Sequence, residues 1–158
     1  MKKNGFTLIE LLAVIVVLAI VMVLATTTVL PYMSEARKSA FLIEATNAVS
    51  GAEKAKDLKT LGKITMPDGS CVKDQKMCFT ISNLVDLGVY EADTDVFKGK
   101  IIITNYNSIN PTYTLYFSKN SEFVINGKKE KDYTKLPDDL NVTLSESEKE
   151  AFSTCSCE

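Results

Sequence analysis

Glu10 is the first side chain in this sequence whose position suggests chemistry, because an uncharged apolar run follows it. Residues 11–34 carry no acidic or basic side chain, and a helix of about 20 apolar residues can cross the hydrocarbon core of a membrane. A charged side chain at the centre of such a helix costs roughly 2.5–3.5 kcal/mol on insertion scales. We therefore expect Glu10 to pair with a cation, since a spanning helix offers it no ordinary structural use.

Four cysteines, Cys71, Cys78, Cys155 and Cys157, form the second group of residues with chemical potential. An even number outside a membrane suggests two disulfides, for which three pairings exist. A Cys71–Cys78 bond would leave Cys155 and Cys157 to close a cramped ring, which favours the pairings that tie the tail to the Cys71–Cys78 region. The alternatives are free thiols or a four-thiolate metal site, although the spacing is looser than the paired C-x2-C of a zinc ribbon.

The composition excludes several kinds of active site. The chain has no histidine, which removes histidine-based triads, general bases and metal ligands from consideration. It has 18 basic and 20 acidic residues and a net charge of −2, a balance that gives no strong nucleic-acid signal. No nucleophile–base pattern or phosphate-binding loop is present in the sequence. We expect a protein without catalytic residues or a cofactor.

A single long helix is predicted to carry Glu10. Its first half is the apolar run, and its second half is amphipathic and stops near Gly62. A kink is expected between Thr27 and Pro31, because proline removes one backbone hydrogen bond and threonine hydroxyls can bond back to the previous turn. The apolar face of the second half consists of Phe41, Ala45, Ala48, Val49 and Ala52.

Beyond the helix, the sequence predicts an irregular stretch, a small sheet and an acidic tail. Residues 63–98 contain a short helix, with Ser82 as its N-cap and Gly88 beyond its end. Asn126-Gly127 marks a tight turn after the sheet, and Ser145-x-x-Glu148 reads as a capping box in the tail. Alternating apolar residues predict three consecutive antiparallel strands, at 100–106, 112–118 and 122–125. Such a sheet buries one face, which the amphipathic helix can cover.

The N-terminus resembles that of type IV pilins and the related pseudopilins. The resemblance rests on Gly5-Phe6-Thr7-Leu8-Ile9-Glu10 and the apolar run that follows. It implies that a prepilin peptidase cuts between Gly5 and Phe6 and that the new N-terminus of Phe6 is methylated. It also implies that Glu10 pairs with the Phe6 amine of a neighbouring copy during assembly.

The same resemblance implies a fold, a domain order and a set of partners. The fold is α+β and pilin-like, with a long N-terminal helix packed on a small antiparallel sheet. Residues 1–5 form a leader, 6–30 a transmembrane and filament-core helix, 31–62 its amphipathic continuation, and 63–158 a globular head. The protein is expected to be a structural subunit of a type IV pilus or of a competence or type II secretion-like filament. It would lie in the membrane before assembly and at the cell surface afterwards, with other pilins, a prepilin peptidase, an assembly ATPase and a platform protein as partners.

Two other interpretations of the N-terminus leave Glu10 without a role. One is an ordinary secretory signal that is cut after Ala25 and exports a secreted or membrane-anchored binding domain. Its apolar segment would exceed the ~7–15 residues typical of such signals. The other is a plain membrane anchor.

Overall fold

A computed structural model describes residues 7–120, 122–129 and 151–157 of the protein. The chain divides into an N-terminal unit, Met1–Arg37, and a C-terminal unit, Lys38–Glu158. Helix α1 runs over Leu8–Thr60 and contributes to both units. The predicted domain boundaries at residues 5, 30 and 62 stay predictions.

The C-terminal end of α1 is closed by the residues that follow Thr60. The Gly62 N–H donates to the Lys59 carbonyl at 3.0 Å, and the Lys63 N–H donates to the Leu58 carbonyl at 2.8 Å. This pair of bonds is a Schellman motif, which requires a left-handed residue that glycine supplies without a Cβ penalty. Gly62 has φ of +68°, so the predicted stop is confirmed.

In the N-terminal unit, the described side chains of α1 are exposed and mostly apolar. Leu8 is 83% exposed and Met22 is 73% exposed. The Thr26 hydroxyl donates to the Met22 carbonyl at 2.7 Å, a bond that supplements the helix backbone one turn earlier. Pro31 lies inside the helix, and the kink expected between Thr27 and Pro31 stays a prediction.

The C-terminal unit contains an antiparallel sheet that is larger than the sequence predicted. Within the described residues, five strands follow one another in the order β1-β2-β3-β4-β5, and each pairs with its neighbour in the chain. The strands are β1 Cys71–Lys73, β2 Lys76–Thr80, β3 Phe97–Thr104, β4 Thr112–Lys119 and β5 Phe123–Lys129. The prediction of three strands is therefore wrong in number, although β3, β4 and β5 overlap all three predicted segments.

The hairpin of β1 and β2 lies in the stretch that was predicted to be irregular. Lys73 pairs with Lys76, and the two residues between them, Asp74 and Gln75, have φ of 47° and 63°. A two-residue hairpin turn needs such positive φ angles and normally uses Asn-Gly or Asp-Gly. These positions carry no hairpin-turn signal, because neither of them is a glycine.

Helix α2, Ile81–Asp86, starts directly at the end of β2. Its N-cap is Thr80 and not Ser82 as predicted. The Asn83 N–H donates to the Thr80 Oγ1 atom at 3.1 Å, and the Thr80 N–H donates to the Asn83 Oδ1 atom at 3.0 Å. The strand leads straight into this reciprocal cap, so the helix begins earlier than the serine suggested. Gly88, with φ of +66°, lies beyond the helix end as expected.

Strand β5 continues through the dipeptide that was predicted to be a turn. Between the pairs Leu115–Lys128 and Phe117–Ile125 the register shifts, so Asn126 and Gly127 together oppose Tyr116. Gly127 has φ of +62°, as in a bulge that places a left-handed glycine in a strand. Asn126-Gly127 is therefore a bulge, because Lys128 and Lys129 still pair with β4.

The core of the C-terminal unit lies between α1 and one face of the sheet. Phe41 is buried, and its ring centroid lies 5.3 Å from that of Phe117 and 5.4 Å from that of Phe123. The helix side of this core also includes Ala45, Ala48, Val49, Ala52 and Ala55, all buried. Alanines let the helix backbone approach the sheet closely while larger strand residues fill the space. The α+β architecture of a long N-terminal helix with a small antiparallel sheet is confirmed.

Candidate functional site

The N-terminus of α1 is closed by a pair of side chains, Thr7 and Glu10. The Glu10 N–H donates to the Thr7 Oγ1 atom at 3.3 Å. In return, the Thr7 N–H and hydroxyl donate to Glu10 Oε2 at 2.9 and 2.8 Å. This reciprocal arrangement is a capping box, which satisfies backbone donors that the first turn of a helix leaves unpaired. The carboxylate also lies at the positive end of the helix dipole.

Glu10 thus has an ordinary structural use, and the expectation that it has none is wrong. The signal was present in the sequence, since Thr-x-x-Glu before an apolar run is the pattern of a capping box. Both hydrogen bonds from Thr7 reach Oε2, whereas a carboxylate offers about four lone-pair sites on two oxygens. Glu10 can therefore cap its own helix and still accept a cation. Gly5 and Phe6, the predicted cleavage and methylation residues, lie outside the described residues.

The apolar surface that follows the capping box has no cover in the N-terminal unit. Within the described residues, α1 is the one helix long and apolar enough to cross a membrane, and its most apolar window is entirely unburied. A helix that is apolar on all sides is normally buried, either in a membrane or among other protein segments. This exposed apolar surface is consistent with a membrane anchor.

The N-terminal segment also carries a recognised family motif. Residues 1–26 match the prokaryotic N-terminal methylation motif. The match includes the predicted cut, the capping box and most of the apolar run, and it supports the resemblance to type IV pilins and pseudopilins. It also supports processing by a prepilin peptidase. Neither curated proteins nor solved structures yielded a match to the chain.

The cysteines form two disulfides that connect the tail to the β1–β2 hairpin. Cys71 is bonded to Cys157 with a Cα–Cα distance of 6.0 Å, and Cys78 to Cys155 with one of 5.7 Å. Disulfide formation, expected from the even cysteine count, is confirmed. The bonds are nested, since the earlier hairpin cysteine joins the later tail cysteine. A four-thiolate metal site does not exist in this state, because disulfide sulfurs lack the thiolate charge that zinc requires.

The tail crosses the face of the sheet that α1 does not cover. Phe152 is buried against Val124 of β5 and makes an edge-to-face contact with Tyr116 of β4, with centroids 5.7 Å apart. Further along, the Lys100 Nζ atom of β3 donates to the Thr154 carbonyl at 3.0 Å. The disulfides then reach β2 and β1. Residues 152–157 therefore run across this face from the β5 edge of the sheet to the β1 edge and contact every strand.

Lys100 occupies a central position under this tail. Its Nζ atom lies 5.2 Å from the centroid of the Tyr116 ring, a distance compatible with a cation–π interaction. Burial lowers the pKa of the Lys100 ammonium, and the Thr154 carbonyl and the Tyr116 ring compensate part of that cost. Neither Lys100 nor Phe152 was predicted to have a role, because both act through contacts with residues far away in the chain.

Polar contacts also join α1 to the rest of the C-terminal unit. The Tyr90 hydroxyl donates to the Glu44 Oε2 atom at 3.1 Å. Burial, the negative charge of Glu44 and this hydrogen bond all raise the pKa of Tyr90 well above its usual range. Further along the helix, Lys56 Nζ lies 3.5 Å from the Tyr113 hydroxyl. These contacts tie the helix to the segment after α2 and to β4.

Proposed function

We propose that this protein is a structural subunit of a type IV pilus or pilus-like filament. The observation that carries the proposal is the methylation motif at residues 1–26, which stands at the head of an exposed, membrane-length apolar helix. An extracellular domain with two disulfides agrees with assembly outside the cytoplasm, where disulfides persist. The motif belongs to proteins that are structural and not catalytic.

Maturation begins with removal of the leader. The peptidase cuts between Gly5 and Phe6 and thereby frees an amine, which is then methylated. That amine belongs to the residue that precedes Thr7 in the sequence, and the Thr7 N–H is bonded to the Glu10 carboxylate. Before assembly, α1 anchors the subunit in the membrane and the C-terminal unit lies outside.

Assembly replaces lipid with neighbouring copies around the apolar helix. The remaining acceptor sites of Glu10 receive the cationic Phe6 amine of an adjacent subunit, which neutralises both charges and fixes the axial register. One surface that binds a different surface on the next copy generates an open helical polymer. An assembly ATPase and a platform protein supply the energy and the site for this step.

The direct test is the mass of the mature N-terminus. Protein from membrane and sheared surface fractions should begin at methylated Phe6. A mature chain that begins near Thr26 would instead establish the alternative, an exported binding domain with an ordinary signal. A chain that keeps Met1 would contradict both.

A variant at the cut sharpens this test. The peptidase must accommodate a small residue before the scissile bond, so Gly5→Leu should accumulate as full-length precursor in the membrane, whereas Gly5→Ala should mature. Intact-mass analysis of membrane fractions measures both. Normal maturation of Gly5→Leu would show that the cut lies elsewhere.

A further inference from the structure

The β1–β2 hairpin holds two cysteines opposite each other, although they are not bonded. Cys71 and Cys78 are direct cross-strand partners, and such partners have Cα atoms about 4.5–5.5 Å apart. This spacing falls within the ~4.4–6.8 Å range that a disulfide tolerates. Their side chains point to the same face of the sheet. The fold therefore offers Cys71 two possible partners, Cys78 in the hairpin and Cys157 in the tail.

During folding, Cys71 should meet Cys78 more often than it meets Cys157, because a short loop closes more readily than a long one. Cys71 and Cys78 are seven positions apart, whereas the final disulfides have sequence separations of 86 and 77. Loop closure becomes less probable with roughly the three-halves power of loop length, which gives the short loop an advantage of about 35- to 45-fold. A Cys71–Cys78 bond should therefore form before the tail arrives, as the two thiols lose two electrons and two protons to a small disulfide, which becomes two thiols.

We propose that the tail cysteines resolve this first disulfide by thiol–disulfide exchange. The Cys157 thiolate attacks the Sγ atom of Cys71, the Cys71–Cys157 bond forms, and Cys78 leaves as a thiolate that takes up a proton. Cys78 and Cys155 then lose two electrons and two protons to a small disulfide such as oxidised glutathione, which becomes two thiols. The Cys-Ser-Cys tail thus supplies the thiol that rearranges the hairpin disulfide.

Position in the sheet selects Cys71 as the site of attack. It lies on the outermost strand, β1, and is half-buried, as is Cys157. Cys78 lies on β2, between β1 and β3, so a strand flanks it on each side. Phe152 and the Lys100–Thr154 hydrogen bond dock the preceding residues of the tail on the same sheet. They bring the two tail thiols to the two hairpin sulfurs together.

Disulfide mapping during oxidation tests the proposal. The full chain, reduced in detergent micelles, is transferred to a glutathione redox buffer, quenched with acid at intervals and alkylated, and its disulfides are mapped by peptide mass. In the wild type, Cys71–Cys78 should appear first and decline as Cys71–Cys157 and Cys78–Cys155 accumulate. The assay needs no filament, so its outcome is separate from that of the proposed function.

Two matched variants assign the attacking sulfur. In Cys157→Ser, the hairpin disulfide should persist at least tenfold longer. In Cys155→Ser, it should convert at the wild-type rate to Cys71–Cys157 and leave Cys78 as a thiol. Appearance of the final pairs without prior Cys71–Cys78 would overturn the proposal. So would equal decay of the hairpin disulfide in both variants, or its persistence in Cys155→Ser alone.

Discussion

At the scale of the residue, Glu10 has an observed role in capping α1 and a proposed role in assembly, and a single substitution would confuse the two. Its carboxylate accepts two hydrogen bonds from Thr7 and so caps α1. In the proposed filament it also meets the Phe6 amine of a neighbouring copy. The cap needs only an acceptor and is retained by glutamine, whereas the second role needs a negative charge.

Replacing Glu10 by glutamine, alanine and aspartate separates these roles. Loss of a cap costs ~0.5–2 kcal/mol, and removing one partner of a buried ion pair costs ~3–5 kcal/mol. Glu10→Gln and Glu10→Ala should both be cut and inserted yet fail to polymerise efficiently, and Glu10→Asp should be intermediate because of its shorter reach. Comparison of membrane and sheared-filament fractions measures this. A wild-type filament yield from Glu10→Gln would contradict the proposed ion pair, and capping of α1 would then be the function of the Glu10 side chain.

The raised pKa of Tyr90 predicts how the stability of the protein changes at alkaline pH. Because its pKa is raised in the folded state, it contributes stability that is fully present below its unfolded pKa, about 10, and that is lost as pH rises further. Urea midpoints of the wild type should therefore fall more between pH 8 and pH 11 than those of Tyr90→Phe. Tyr32→Phe, which changes an exposed ring, should behave as the wild type does. If the urea midpoints of the wild type and of Tyr90→Phe fell equally between pH 8 and pH 11, the raised pKa of Tyr90 would be contradicted.

At the scale of the element, the two parts of α1 have different surfaces. Its first part presents large apolar side chains in every direction, as a lipid or helical environment requires. Its second part buries mainly alanines against the sheet, which leaves the space to the aromatic and branched residues of the strands. Because this face of α1 fits closely against the sheet, the stability of the C-terminal unit should depend on the volume of the side chains in it.

Enlarging a buried alanine tests this fit. Ala48 is completely buried, so Ala48→Leu should lower the free energy of unfolding by ~1–3 kcal/mol through overpacking. Asn47→Leu, at the exposed neighbouring position, should stay within about 0.5 kcal/mol of the wild type. Urea denaturation in detergent measures both. Equal effects of the two substitutions would mean that the helix does not pack on the sheet as described.

At the scale of the whole molecule, the tail gives the C-terminal unit its second covering layer. The sheet was expected to bury one face under α1, yet Phe152, Lys100 and the two disulfides fasten residues 151–157 across part of the other. Each disulfide closes a loop of more than 70 residues, for which the chain-entropy account gives roughly 4.5 kcal/mol, against the ~2–4 kcal/mol that is typical of protein disulfides.

Reductant and chelator should therefore act differently on the full chain. A reductant is expected to lower the melting temperature by roughly 10 °C or more, whereas EDTA should leave it unchanged. Thiol labelling of denatured, unreduced protein should modify none of the four cysteines. Destabilisation by EDTA together with full labelling after chelation would point to a bound metal instead.

The sequence by itself determined the features that depend on local order. A membrane-length apolar run, the Thr7-x-x-Glu10 cap, the helix stop at Gly62 and the apolar face of α1 are all set by residues within a few turns of one another. Such features follow from periodicity and from backbone groups that must be satisfied nearby. The alternating residues of β3 to β5 likewise indicated strands, although not their full extent.

Only the tertiary structure decided which distant residues meet. The β1–β2 hairpin has no glycine at its turn, and it is held by β3 on one side and by the tail disulfides on the other. Choosing among the cysteine pairings required knowing that residues 152–157 cross the sheet. Contacts between residues more than 50 positions apart depend on the whole packed fold, because no local periodicity encodes them.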